Sequence, residues 1–193
     1  MNNDQTGLSG LEALLKAQAG DRLPPVETWN PPYCGDIGMR VGGDGVWFYQ
    51  GSPIGRQALV RLFARVLRRD ADGRHYLVTP VEKVDVAVDD APFLAVEMEA
   101  RGAGPDQLLT FRTNVDDVVR CGPQLPLRFA VEAANDGLKP YLLVRGRLEA
   151  LVTRAIYYDL VELAVTHGDQ FGVWSGGTFF AMAKAETIAA AGV

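Results

Sequence analysis

The sequence predicts an α+β fold made of two similar halves, each with mostly antiparallel strands and one long helix. Short runs of alternating polarity recur between turn signals along the chain. Each half also has one stretch of helical periodicity. Finally, residues 44–67 share a strand–turn–helix pattern with residues 141–165, and an offset of 101 positions gives four identities, including Gly45 with Gly146 and Leu59 with Leu160. This recurrence predicts a duplication.

The predicted segments are an N-terminal helix in residues 1–20, a first repeat in 21–90, a second repeat in 91–183 and a tail in 184–193. Ser9 and Glu12 form a capping box that starts the N-terminal helix. Residues 21–36 contain four prolines and lack a period, so we expect an irregular connection, held down by Trp29 and Tyr33.

The first repeat begins with a predicted hairpin, residues 37–41 and 46–50, around a glycine-rich turn. Ser52 is the expected N-cap of the long helix, with Pro53 at its first position. Leu59, Leu62 and Phe63 fall on one helical face. Further strands of this repeat are expected at 75–79 and 84–88, and a strand at 93–100 opens the second repeat.

The second repeat is predicted to continue with strands at 108–113, 118–121 and 125–131, followed by a hairpin signal at 135–137. The recurring strand–turn–helix unit comes next, with Thr153 in the N-cap position that Ser52 has in the first copy. Two last strands, 171–174 and 178–182, flank Ser175-Gly176-Gly177.

Composition and charge exclude several function classes. The chain has 193 residues, an ordinary 22% charge, and a net charge of −5 that lies entirely after residue 88. Duplex nucleic acid is therefore not an expected partner, because its binding rests on neutralising phosphates. No apolar run reaches about 18 residues, so no membrane partner is expected. The start of the chain lacks the pattern of a secretory signal, which predicts a cytoplasmic protein.

Six stretches of the sequence are distinctive in wording and order: WNPPYCGDI, DGVWFYQGSPIGRQALVRLFARVLRRD, HYLVTPVEKV, FRTNVDDVVRCGP, YLLVRGRLEALVTR and FGVWSGGTFF. Together they resemble a bacterial family known only as domain of unknown function 1285. The resemblance implies a duplicated α+β core, a second repeat like a pleckstrin-homology fold, and no established enzymatic activity. It further implies a nucleotide-like ligand bound between the two repeats and a role in signal transduction or the stress response.

The residues give a matching hypothesis, a small anionic or nucleotide-like ligand held in a cleft between the repeats. Guanidinium and ammonium groups suit a phosphate, amides and a carboxylate read its polar groups, and indoles stack on a base. The expected ligand-binding residues are Trp29, Asn30, Asp36, Trp47, Arg56, Lys83, Arg112, Asn114 and Arg145. The alternative for the arginines is structural pairing with Glu82, Asp116 or Glu149, and the alternative for the tryptophans is the core.

Two other functions stay open. The first is a protein-interaction adaptor or homo-oligomer that docks through Arg61, Arg65 and Arg68, placed on one helical face. The second is a thiol-dependent sensor using Cys34, against which stands a packed, inert cysteine. Neither a phosphate-binding loop, a nucleophile elbow nor metal-ligand spacing occurs in the sequence, so we expect no catalytic residues, cofactor or metal.

Overall fold

The computed structural model describes residues 22–132 and 137–186. The chain divides into two compact units, Met1–Asp90 and Ala91–Val193, which we call the first and second domains. The predicted helix in residues 1–20 and the hairpin signal at 135–137, apart from Gly137, lie outside the described residues, as does the tail from residue 187 onward.

The first domain contains six strands and one helix among its described residues, preceded by a 3-10 turn at Val26–Thr28. The elements are β1 (Tyr33–Val41), β2 (Trp47–Tyr49), β3 (Ser52–Pro53), α1 (Gln57–Arg65), β4 (Leu67–Arg69), β5 (His75–Val78) and β6 (Lys83–Val88). They form one mixed sheet in the order β3-β2-β1-β6-β5-β4. Its central pair, β1 and β6, is parallel, and its other pairs are antiparallel.

The predicted hairpin between β1 and β2 is confirmed, and its turn explains the glycines. Gly45 has a φ of 77°, and its N–H donates to the Gly42 carbonyl at 2.9 Å. The Asp44 carboxylate accepts from the Val46 N–H at 3.1 Å, which fixes the entry into β2.

Helix α1 supplies the core of the first domain. Its Leu59, Phe63 and Ala64 are buried at helical spacing. The Phe63 ring stacks on Trp47 of β2 with centroids 6.3 Å apart and planes 24° apart. The helix begins later than the sequence predicts, with Arg56 as N-cap, because Ser52 pairs in β3 with Tyr49.

The second domain contains a six-stranded sheet, one helix and a three-stranded sheet among its described residues. Its elements are β7 (Phe93–Arg101), a 3-10 turn (Gly104–Asp106), β8 (Leu108–Thr113), β9 (Val118–Arg120), β10 (Leu127–Val131), β11 (Leu138–Arg145), β12 (Leu148–Val152), α2 (Arg154–Glu162), β13 (Val165–His167), β14 (Gln170–Ser175) and β15 (Thr178–Lys184). The large sheet has the order β10-β11-β12-β7-β8-β9, with β7 and β12 parallel at its centre. The antiparallel small sheet has the order β13-β14-β15.

The large sheet of the second domain is curled. Strands β9 and β10 form its opposite edges, yet only residues 121–126 join them, and Gly122 closes a turn within that linker by donating to the Leu125 carbonyl at 3.2 Å. A flat sheet would separate its outer strands by about 24 Å, five strand spacings. A linker this short that also turns does not reach so far, so the strands bend toward each other.

A buried polar contact joins the small sheet to the large one. The Ser175 hydroxyl donates to the Cys121 carbonyl at 2.8 Å and accepts from the Leu109 N–H at 2.9 Å. The Gln107 amide donates to the Trp174 carbonyl at 2.8 Å. Each bond satisfies a backbone group that would otherwise be buried without a partner.

The two six-stranded sheets have the same strand order, since numbering each from its own first strand gives 3-2-1-6-5-4. The helices, however, stand at different points in the chain: α1 follows the third strand of its sheet, whereas α2 follows the sixth. The offset of 101 residues between the halves is therefore wrong, because it equates Gly45, before a second strand, with Gly146, before a sixth. Thr153 is the N-cap of α2, as predicted.

Within residues 22–132 and 137–186, the structure has no helix that is both long enough and apolar enough to cross a bilayer.

Gly172 gives a test of the packing between β14 and β15. It lies at a register shift of this pair, and a Cβ added there would stand 2.2 Å from the Phe180 carbonyl oxygen. Since backbone cannot rotate away as a side chain can, we expect Gly172→Ala to lower the free energy of unfolding by about 1–3 kcal/mol or more in urea titrations.

Gly122→Ala is the matched control, because the nearest atom to its added Cβ is 4.0 Å away. Its free energy of unfolding should stay within about 1 kcal/mol of the wild-type value. Equal unfolding midpoints for the two variants would contradict the close approach at Gly172.

Candidate functional site

One face of the first-domain sheet carries a polar network. Strand pairing places Arg68 of β4, Tyr76 of β5 and Asp85 of β6 side by side, since directly opposed residues share a face. Helix α1 packs through Trp47, which alternates onto the opposite face from Arg40 and Phe48. In the first domain, one face of the sheet is therefore buried under a helix, and the other face carries charged and polar side chains.

Arg68 is buried and fixes the proline-rich segment to this face. Its Nη1 donates to the carbonyls of Val26 and Trp29 at 2.7 and 2.8 Å. Its Nε donates to the Asp70 carboxylate at 2.6 Å. Arg68 is thus a strand residue with an internal role, so its predicted place on a basic helical face is wrong: α1 ends at Arg65.

Asp70 also forms an ion pair with Lys83, whose Nζ lies 3.1 Å from the carboxylate. Burial raises the pKa of Asp70, but hydrogen bonds from Arg68 and Lys83 outweigh burial, and the pKa lies below its ordinary value. Asp70 is therefore ionised at neutral pH and offsets one of the two positive charges of Arg68 and Lys83.

Tyr76 is the aromatic centre of the network. Lys83 Nζ lies 4.4 Å from its ring centroid and the Arg74 guanidinium carbon 5.5 Å from it. The Tyr76 hydroxyl donates to Asp72 at 2.7 Å, and this bond, together with burial, raises the pKa of Tyr76 to about 12. The phenol stays protonated and serves as a donor.

A depression of about 370 Å³ opens at the edge of the network, lined by Asp36, Arg74, His75, Asp85 and residues 86–88. Arg74 is bonded to Asp85 at 2.6 Å, and Tyr33 donates to the same carboxylate. Burial, followed by the positive charge of Arg69, lowers the pKa of His75 to about 4. At neutral pH the lining therefore combines a neutral imidazole with two carboxylates and one paired guanidinium.

Two of the predicted first-domain ligand residues bind the same ion pair, Arg68–Asp70. The Trp29 carbonyl accepts a hydrogen bond from Arg68, and Lys83 donates one to Asp70. Trp47 is buried to 1% exposure against Phe63, which leaves no ring face for a ligand. The remaining predicted residues of this domain, which are exposed, are Asn30, Asp36 and Arg56.

In the second domain, Arg112 and Arg145 bind two neighbouring carboxylates, Asp116 and Asp117, in the turn after β8. Arg112 donates from Nε to Glu97 at 2.7 Å and from Nη1 to Asp116 at 2.8 Å. Arg145 pairs with Asp117, and its guanidinium carbon lies 5.1 Å from the centroid of the Phe93 ring. Pairing with Asp116 is the structural alternative that the sequence offered for Arg112.

Asn114 binds the backbone of Leu94, near the start of β7. Its side-chain oxygen accepts from the Leu94 N–H at 3.0 Å, and its own N–H donates to the Leu94 carbonyl at 2.9 Å. These bonds fix the loop that carries Asp116 and Asp117. The three predicted second-domain residues thus lie in a region where carboxylates accompany both arginines.

A second depression, of about 360 Å³, lies where the first turns of α2 face the ends of β11 and β12. Its polar lining is Glu132, Lys139, Arg154, Tyr157 and Tyr158; the apolar lining is Leu138, Pro140, Leu151 and Val152. Arg154 Nε donates to the Tyr158 hydroxyl at 2.9 Å, one helical turn along. Lys139 Nζ lies 2.9 Å from the Glu132 carboxylate.

Sequence reasoning missed this second depression. Helix α2 buries Ile156 and Leu160, which are four residues apart, whereas Tyr157 and Tyr158 stand off that stripe. The sequence did contain a signal for it. Two adjacent tyrosines lie outside the core stripe of the helix, and an arginine lies four residues before the second tyrosine.

The two cysteines differ in environment. Cys34 is exposed, so the expectation of a packed thiol is wrong, and Cys121 is buried. Burial raises the pKa of Cys121 to about 11, which keeps its thiol protonated. Among the residues that the structure describes, no three His, Cys, Asp or Glu side chains are grouped as a metal site requires.

Comparison with known proteins gives matches to one family. The family model for the N-terminal domain of DUF1285, a domain of unknown function, matches residues 24–91, and the model for its C-terminal domain matches residues 92–182. None of the curated proteins matches the chain significantly.

Two crystal structures are similar to the chain. A DUF1285 family protein from Silicibacter pomeroyi DSS-3 is 47% identical over 93% of this chain and 97% of its own, with a TM-score of 0.87. A DUF1285 family protein from Shewanella baltica OS155 is 28% identical over 65% of this chain and 91% of its own, with a TM-score of 0.51.

His75 allows a test of the burial at the first depression. Because its folded pKa of about 4 lies below its ordinary 6.5, the unfolded chain binds a proton in this range that the folded chain does not. We expect the free energy of unfolding to rise with pH from about 4 to 6.5 and this rise to shrink in His75→Gln, as measured by urea titrations at several pH values.

His167→Gln is the control for this measurement. It leaves His75 unchanged, so the rise in the free energy of unfolding that His75 causes should be retained. An unaltered pH dependence in His75→Gln would contradict the burial of the imidazole.

Proposed function

This chain belongs to the DUF1285 family, and on that premise we propose that it binds a small anionic ligand in the second depression, the one lined by Arg154, Lys139, Tyr157 and Tyr158. The observation that carries the proposal is the pairing of Arg154 with a neutral group, the Tyr158 hydroxyl, beside an open depression. The proposal uses residues of the second domain alone.

The charge of the depression supports an anion. Among the described lining residues, Arg154 and Lys139 contribute two positive charges and Glu132 one negative charge, which leaves an excess of one positive charge. In residues 91–193, by contrast, acidic residues outnumber basic ones. A cationic spot on an otherwise acidic domain concentrates anions at that point.

The other clusters of cations are a poorer fit. Arg68, Arg74 and Lys83 face Asp70, Asp72 and Asp85, and Arg112 and Arg145 face three carboxylates, Glu97, Asp116 and Asp117. An anion binding there would have to compete with carboxylates and leave them without their partners, which is costly when they are partly buried.

The size and walls of the depression also fit a small molecule. Ligand sites typically measure about 300–1,000 Å³ and combine apolar walls with a few polar groups. At about 360 Å³, with Leu138, Pro140 and Val152 among its walls, this depression could hold a ligand as large as a nucleoside monophosphate.

The finer features that the family resemblance implies belong to this proposal. A common strand order supports descent of the two domains from one duplicated unit, while the likeness of the second domain to a pleckstrin-homology fold stays a prediction. We also retain a cytoplasmic setting and a role in signal transduction as proposals, in which ligand binding would be the sensing step.

Arg154→Gln tests the proposal with adenosine monophosphate as the probe, in isothermal titration calorimetry at low salt. Hydrogen bonds to charged groups contribute about 1.5–3 kcal/mol, so we expect the dissociation constant to rise about tenfold to 100-fold. Raising the ionic strength should weaken binding to the wild type as well.

Arg147→Gln is the matched control, because Arg147 is an exposed arginine of the same domain outside the lining of the depression. It should bind the probe as the wild type does, and circular dichroism should show both variants folded. The proposal fails if Arg154→Gln and Arg147→Gln bind with equal affinity, or if the wild type does not bind at millimolar concentrations.

A further inference from the structure

Tyr158 is unusual among the aromatic residues of the second domain because 52% of its surface is exposed. Tyrosine is favoured at sites where one side is apolar and the other wet, because its ring packs and its hydroxyl hydrogen-bonds. The ring lines the second depression together with Tyr157, whose centroid lies 6.0 Å away with planes 45° apart.

The exposed ring is held in a fixed position. Arg154 Nε donates to its hydroxyl at 2.9 Å, and the guanidinium carbon lies 5.7 Å from the ring centroid. The Tyr157 ring lies beside it, and burial raises the pKa of the Tyr157 hydroxyl. A ring restrained in this way loses less conformational entropy when a ligand packs on it.

Arg154 and the ring are close enough to act on one ligand. The bond to Tyr158 uses one of the five N–H donors of the guanidinium, and the other four can face an anion. A planar group lying on the Tyr158 ring would carry a substituent toward Arg154, with Lys139 also in the lining.

We propose that the ligand is a planar aromatic ring bearing one anionic group, with the ring stacked on Tyr158 and the anionic group bound by Arg154 and Lys139. This inference rests on the proposed function and adds the chemical class of the ligand. One anionic group, rather than several, matches the excess of one positive charge among the described lining residues, because Glu132 beside Lys139 repels further negative charge.

The test compares two probes that share an anion and differ in the ring, phenyl phosphate and glycerol phosphate. Their dissociation constants are measured by chemical-shift titration of the full chain. Stacking of a ring on an aromatic side chain corresponds to about fivefold to 100-fold in affinity. We therefore expect the wild type to bind phenyl phosphate at least about fivefold more tightly than glycerol phosphate.

Two variants of Tyr158 locate this preference. Tyr158→Leu removes the ring and should bring the two dissociation constants together while glycerol phosphate binding persists. Tyr158→Phe keeps the ring and removes the hydroxyl, so most of the preference for phenyl phosphate should remain. A preference that persists in Tyr158→Leu would overturn the inference.

The outcomes separate this inference from the proposed function. Equal affinities of the wild type for the two probes, both weakened by Arg154→Gln, would leave the anion site standing and overturn the aromatic class. If neither probe binds the wild type, or if Arg154→Gln changes neither affinity, the proposed function fails together with the inference.

Discussion

Both domains depend on a parallel pairing between the first and the last strand of a six-stranded sheet. Without the β1–β6 pair, the first domain would consist of two separate three-stranded meanders, and the β7–β12 pair has the same place in the second. Each pair joins segments about 50 residues apart, so its formation requires closure of a long loop before its contacts become favourable. The hairpins are local, and the central pair is what makes each sheet continuous.

The shared strand order leaves the position of the helix free, and the two domains use that freedom differently. In the first domain α1 lies within the connection between the third and fourth strands and buries Phe63 on the sheet. In the second domain the same connection is a short turn, so the sheet curls, and α2 follows the sixth strand instead. Its first turns then stand at the ends of β11 and β12, which creates the depression that carries Arg154 and Tyr158.

Local features of this chain were predictable from its sequence, and long-range ones were not. The β1–β2 hairpin followed from its glycine-rich turn, and the N-cap position of Thr153 from its residue type, although its hydroxyl makes no capping hydrogen bond. Arg68 was predicted to be the third arginine of a basic helical face. The helix ends at Arg65, however, and strand pairing places Arg68 beside Tyr76. Trp47 could have been a stacking platform or core, and only the packing of Phe63 decides that it is core. Tyr157 and Tyr158 gave a local signal that became meaningful once the facing strands were known.

The paired arginines of both domains differ from Arg154 in the charge of their partners. Arg68 and Lys83 share the Asp70 carboxylate, and an incoming anion would leave that carboxylate partly buried without its cations. Arg154 instead donates from Nε to a neutral phenol, so an anion can bind its remaining N–H groups without leaving a buried carboxylate unpaired. A bound anion adds the attraction of opposite charges to these hydrogen bonds, and no carboxylate has to be displaced from Arg154 first. By this argument the paired arginines stabilise the fold, and Arg154 is the cation best placed to recognise an anion.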